Sequence, residues 1–289
     1  MAQSPAHKFG QIIGDAVEAA IEPLLRDFAG KHGLYLDKRG NRLARSGKKV
    51  TWKDADGNKH DLDFVLERSG THKKIGTPAA FIEVAWRRYT KHSRNKAQEI
   101  QGAILPLVET HKNAAPFYGA ILAGEFTMGA ITQLQSVGFS VLYFSYDSVA
   151  DAFGRAGVDA RFDGDTPDAV LGRRVRKCKA LMSRKRPMIA EALLDGNAAK
   201  VREFMKSLET AVARRIVSVR IIPLHGAAVE LNSVPKAVAF IRGYNEAGAL
   251  RPLVRYEIQV RYSNGDSIEG QFADKASAVK FLGMYSVPS

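Results

Sequence analysis

The chain has 289 residues, 45% apolar and 25% charged. That balance belongs to a globular protein and excludes a wholly disordered one. A single cysteine, Cys178, excludes an intrachain disulfide framework and any zinc site built on two or more thiolates. Lysine and arginine number 43 against 30 acidic residues, a net charge of +13, and such an excess points to a polyanionic partner, nucleic acid first.

No apolar run reaches the roughly 18 residues that a membrane span needs. The opening MAQSPAHKFGQ has no secretory-signal pattern. A cytoplasmic protein with no membrane partner is the expectation.

The first periodic segment runs from about Phe9 to Ala29, with Ile12, Ile13, Val17, Ala20, Ile21, Leu24 and Leu25 at helical spacing. Pro23 predicts a kink or a division into two short helices. A strand follows at Leu34–Asp37, then a basic loop, KRGNRLARSGKK. The next stretch reads as a hairpin with arms Val50–Lys53 and His60–Glu67 and a turn at Asp56-Gly57-Asn58. A strand at Ala79–Trp86 comes next, then a helix from Ser93 to Glu109 that Pro106 should disturb. Phe117–Phe126 and Phe139–Tyr146 are apolar runs of the kind buried on both sheet faces. A short helix, Met128–Ser136, lies between them. Asp147 or Ser148 is placed to cap a helix through Phe153. Alternating strands and helices predict an α/β sheet flanked by helices.

From Asp168 to about Ile216 the pattern is helical and basic, with a break near Asp195-Gly196-Asn197 and a thin apolar stripe of Leu171, Val175, Leu181 and Met182. The last part repeats itself at an offset of 41 residues. Val219-Arg220 matches Val260-Arg261, Ala237-Val238 matches Ala278-Val279, Phe240 matches Phe281, and Tyr244 matches Tyr285. Each copy reads strand, strand, helix. The expected divisions are 1–165, an α/β core; 166–215, a basic helical segment; and 216–289, a duplicated ββα module.

Asp61 and Asp63 lie two apart on a predicted strand and so share a face. Glu83 sits in the following strand between Phe81, Ile82 and Val84, in surroundings that penalise an unpaired carboxylate. An ion pair with Arg87 or Arg88 would answer that penalty. A hard divalent cation shared with Asp63 would answer it too.

These residues resemble the PD-(D/E)XK nuclease superfamily, which includes many type II restriction endonucleases. Residues 9 to about 160 follow its element order. The resemblance implies a mixed sheet flanked by helices, with Asp63 as first acid, Asp61 as its backup, Glu83 as second acid and Glu18 as the helix acid that helps hold metal. It implies Mg²⁺ as cofactor and double-stranded DNA as substrate. The third position of the acidic tripeptide is Ala85 where the family has lysine. Either a lysine has moved to Lys91 or Lys96, or the site is inactive. Placement on the following helix favours Lys96.

Arg87, Arg88, Tyr89, Lys91 and Arg94 interleave cations with an aromatic ring beside this site, and Arg173, Arg174 and Arg176 add a second basic tract. Both suit phosphate contacts. Segments 38–49, 86–96 and 172–186 are the expected backbone footprint. Cys178 between lysines could have a lowered pKa, but no partner is placed beside it and a structural thiol is the stronger reading. The histidines, His225 among them, show no zinc spacing. The functional expectation is a metal-dependent DNA endonuclease of restriction type, with the repeat serving recognition or homodimer formation. The alternatives are a non-catalytic nucleic-acid-binding scaffold and an RNA-processing nuclease.

Overall fold

The computed structural model describes residues 4–224, 226–246 and 253–285, with the backbone alone at Met182 and Ser183. His225 lies outside the described residues, as does the Met182 side chain. The chain forms two compact units, 1–212 and 213–289.

In the first unit, α1 (Pro5–Lys31) starts where the Ser4 hydroxyl accepts from the His7 N–H at 3.2 Å, a standard N-cap with proline in the first turn. Its stripe of Phe9, Ile13, Val17, Ile21, Leu25 and Phe28 is buried. Pro23 neither kinks it into two nor stops it. The proline ring is on the exposed side, where water can take the carbonyl that it leaves unbonded, while the buried stripe holds the helix on both sides.

Strand β1 (Leu34–Lys38) leads through a loop to β2 (Val50–Lys53) and β3 (Lys59–Leu62), which pair as a separate two-stranded ribbon. Then come β4 (Phe64–Arg68), β5 (Thr77–Arg87), a 3₁₀ turn at Thr90–His92 and α2 (Ser93–Thr110). The expected second hairpin arm is thus two strands, divided at Asp63 and serving two sheets. Strands β6 (Phe117–Gly124) and β7 (Ser140–Ser145) enclose α3 (Met128–Ser136). Helix α4 (Tyr146–Arg155) is capped by Ser145, whose hydroxyl accepts from the Ser148 N–H at 3.3 Å. The cap is therefore neither Asp147 nor Ser148.

The main sheet has the order β1-β4-β5-β6-β7. β1, β4 and β5 are antiparallel, and β5, β6 and β7 are parallel. One face packs Phe64, Ile82, Ile121 and Phe144 with α1, α4, α5 (Asp168–Asp195) and α6 (Ala198–Val212). The other packs Val65, Phe81 and Leu122 with α2, α3 and the ribbon side chains Val50, Trp52 and Leu62. Each fully buried Leu, Ile or Phe contributes about 1.5–3 kcal/mol. Gly124 ends β6 at φ +96°, and a Cβ there would collide with the Arg87 carbonyl and the Trp86 ring.

Segment 166–212 belongs to this same unit. Leu171, Val175, Cys178 and Ile189 of α5 share the core with Phe9 and Ile13 of α1, so the compact unit ends at Val212 rather than at 165. Cys178 is fully buried, and burial pushes its thiol up to about 11. Flanking lysines point outward from the helix and do not offset that desolvation.

The second unit contains β8 (Ile216–Leu224), β9 (Val229–Leu231), α7 (Val234–Gly243), β10 (Arg255–Tyr262), β11 (Ser267–Phe272) and α8 (Lys275–Gly283). Its antiparallel sheet has the order β11-β10-β8-β9. Val219 sits directly opposite Val260, its counterpart in the repeat. The two ββα copies are therefore related by a local two-fold axis through that pair. Among the described residues, no helix is long and apolar enough to cross a membrane.

Candidate functional site

Strand β4 pairs with β5 from Phe64, which is opposite Ile82. One residue earlier the ladder ends, and the Val84 N–H has no strand carbonyl to meet. The Asp63 carboxylate takes its place: its Oδ2 accepts from the Val84 N–H at 2.7 Å. Asp63 is thereby fixed beside Glu83 by the backbone of Glu83's own strand.

Glu83 shares a face of β5 with Phe81 and Ala85, the face covered by α2. Lys96, in the first turn of α2, brings its Nζ to 3.7 Å from Glu83 Oε1, with the side chains 14% and 17% exposed for Glu83 and Lys96. Lys96 also lies 3.4 Å from Glu99 Oε2. Glu83 Oε2 is buried and has no hydrogen-bond partner. The ion pair expected with Arg87 or Arg88 does not form. Arg87 reaches Glu99 at 3.5 Å, and Arg88 stacks on Tyr146 at 4.1 Å while donating to the Phe162 carbonyl.

Glu18 of α1 completes the group. Burial pushes its carboxyl up to about 7, with Asp63 and Asp15 adding to the rise and Arg39 opposing it. Glu83 is pushed up to about 8, first by burial and then by the Asp63 charge, against Lys96. Asp63 is also raised, by burial, with the Val84 N–H, Lys96 and Arg39 opposing. Three carboxyls thus crowd a poorly solvated place with less cationic charge than their full ionisation requires.

Asp61 does not join them. Because the chain passes from the ribbon to the main sheet at Asp63, the shared-face argument fails. Asp61 accepts from Lys49 Nζ and from Thr51 Oγ1, both at 2.6 Å, on the exposed face of the ribbon. Lys91 is exposed on the 3₁₀ turn. Ala85 is 3% exposed and faces α2, so the helix occupies the room that a lysine there would need. The lysine near the acids comes from that helix instead.

The basic tracts divide. Tyr89, Lys91, Arg94, Arg173 and Arg176 are exposed. Arg87 and Arg88 are engaged as above, and Arg174 is paired with Asp159 and the Arg161 carbonyl. Trp86 packs against α1, where a Cβ at Gly10 would come within 3.3 Å of its Nε1. Within 38–49, Arg42 is 1% exposed and lies against Asp37 at 2.8 Å and Glu67, and Arg45 lies at 3.2 Å from Asp37. Those two arginines fasten the loop instead of facing a partner.

Sequence reasoning missed Asp15, Glu99 and Arg39. The first two were legible as three-residue spacings on their helices, Asp15 to Glu18 and Lys96 to Glu99. No local pattern marks Arg39.

Among the described residues, no three His, Cys, Asp or Glu side chains close into a ready-made metal cage. Mg²⁺ does not need one, since it is often held by one or two carboxylates with water and phosphate completing its shell. The unpartnered Glu83 Oε2 beside Asp63 fits such an ion.

No protein-family model and no curated protein matches the chain. Among solved structures, the chain is similar to the crystal structure of AF1548, a protein of unknown function, at 15% identity over 68% of this chain and 98% of that one. The TM-score is 0.30, too low to carry an argument.

Proposed function

We propose that the protein is a Mg²⁺-dependent DNA endonuclease of the PD-(D/E)XK type, acting as a restriction enzyme. The observation that carries this reading is the contact of Lys96 Nζ with Glu83 Oε1 beside an Asp63 carboxylate locked to the Val84 N–H. That places two acids and a lysine together on adjacent strands and the next helix, the arrangement that the family resemblance implies with its lysine relocated.

Asp63 and Glu83 would hold the ion, with Glu18 behind them. Mg²⁺ in such a place supplies Lewis-acid activation of water and of the phosphate. The chain's own residues do the rest. The Val84 N–H orients Asp63. Lys96 Nζ lies beside the carboxylates, where it can orient the attacking water and stabilise charge growing on the phosphate. Tyr89, Lys91 and Arg94, exposed beside this site, contact the DNA backbone. The test is incubation with phage and plasmid DNA of varied sequence, with Mg²⁺ and with EDTA. Double-strand cleavage with Mg²⁺ and none with EDTA supports the reading; binding without cleavage of any DNA opposes it.

A further inference from the structure

The β2–β3 ribbon presents two unlike faces. Val50, Trp52 and Leu62 are buried in the core below it. Thr51, Lys53, Lys59 and Asp61 are exposed. With Arg45, Lys48 and Lys49 from the preceding loop they line an open groove of about 630 Å³.

The register sets Lys53 directly opposite Lys59. Like charges directly opposed on one face of an antiparallel pair are destabilising. Asp61, the acid on this face, is already engaged by Lys49 and Thr51. Nor can the ribbon readily splay to part the lysines. Its other face is core, and its turn is tied by Asp54, which accepts from the Asp56 and Asn58 N–H groups at 3.0 and 2.9 Å and meets His60 Nε2 at 2.9 Å. The fold thus holds Lys53 and Lys59 in directly opposed register, a repulsion that an anion would relieve. Ribbon strand β3 ends at Leu62, and the next residue is Asp63.

We propose that this ribbon face clamps the phosphate backbone of double-stranded DNA next to the Asp63 site; the choice of DNA as the polyanion rests on the nuclease reading. Lys48 from the loop and the Lys53 and Lys59 pair near the ribbon turn suit a run of phosphates rather than a single one. The groove lining is Ser46, Gly47 and Thr51 beside cations and Asp61, with no apolar side chain to enter a lipid surface.

The test uses the full chain in EDTA and a fluorescein-labelled duplex of about 20 base pairs, with anisotropy read across a salt series. The double variant Lys53→Gln/Lys59→Gln should bind at least tenfold more weakly at low salt. Its slope of log K against log salt should be shallower by about 1.8, two phosphates at about 0.9 each. Its thermal midpoint without DNA should equal or exceed wild type, because the repulsion is gone. Lys112→Gln, at an exposed lysine paired with Glu109, should leave the slope unchanged. An unchanged slope in the double variant overturns the clamp, as does a wild type that does not bind duplex DNA. Loss of binding to phosphatidylserine vesicles with the DNA slope intact overturns it in favour of a membrane. A wild type that cleaves DNA while the double variant keeps its slope overturns the clamp alone. A wild type that binds through the ribbon and never cleaves overturns the nuclease reading alone.

Discussion

Lys96 Nζ stands 3.7 Å from Glu83 Oε1, which joins the first turn of α2 to the middle of β5 at the point where β4 gives way to Asp63. On the proposed reading, a cation held there by a helix would take the role that position 85, buried under the same helix, cannot. Lys96→Met keeps the stem and drops the ammonium. It is expected to lower the cleavage rate by about 10²–10³-fold, the range for loss of one electrostatic donor at a reacting centre, with DNA affinity within a few-fold of wild type. Lys91→Met, at a residue proposed to contact the DNA backbone, is expected to weaken binding a few-fold and to cleave at the wild-type single-turnover rate once DNA is saturated. Single-turnover cleavage with separate binding titrations checks both.

The buried carboxyls make stability depend on pH. In the unfolded chain Glu83 has its ordinary value of 4.5; in the folded chain it is near 8. Below 4.5 it is protonated in both states and contributes nothing to the difference. Between 4.5 and about 8 the unfolded chain has released the proton while the folded chain retains it, so this group's contribution to stability falls as pH rises through that window and levels off above it. Metal-free wild type is expected to lose thermal stability relative to Glu83→Gln from pH 5 to pH 8, by an amount on the order of a few kcal/mol. Thermal melts of both proteins in EDTA across that range are the check, and parallel curves would contradict the assignment.

Arg42 is expected to matter for folding and not for DNA. Its guanidinium is sealed against Asp37 and Glu67, whose side chains are 3% and 0% exposed, and it donates to the Thr71 and Lys74 carbonyls. Arg42→Met would leave the buried Glu67 carboxylate without its cation and Asp37 with Arg45 alone, a loss of about 3–5 kcal/mol. Chemical denaturation should show it, while the salt slope of DNA binding in the folded fraction stays at the wild-type value.

Asp61→Asn provides the contrast. Its carboxyl is held below the ordinary range by Lys49 and then by Thr51, away from the Asp63 group. The variant is expected to cleave within a few-fold of wild type, where Asp63→Asn is expected to be inactive. Equal loss in both would return Asp61 to the metal site.

Much of this was legible in the sequence. Helical and two-residue periodicities gave α1, α2, β5, β6 and α3 to within a few residues, and the 41-residue repeat foretold the two ββα copies that meet at Val219 and Val260. Asp63, Glu83, Lys96 and Glu18 were also named from the sequence, together with Asp61, which lies with Lys49 and Thr51 on the ribbon instead. What escaped were features decided by contacts distant in the chain. Nothing local says that the strand through Asp61 and Asp63 divides between two sheets. Nor does composition tell Arg42, sealed against Asp37 and Glu67, from Lys48, which is exposed. Arg88 likewise looks like its neighbours until Tyr146 and Phe162 fold over it.

The most direct measurement is a calorimetric titration of Mg²⁺ into the full chain at pH 8, run beside Asp63→Asn and Glu83→Gln, with thermal melts at each end point. Wild type is expected to bind Mg²⁺ saturably and to gain thermal stability as the ion takes over the charge on Asp63 and Glu83, and both variants are expected to lose the binding and the gain while remaining folded. Equal Mg²⁺ binding by wild type and both variants, or none by wild type, would contradict a metal site at these two residues.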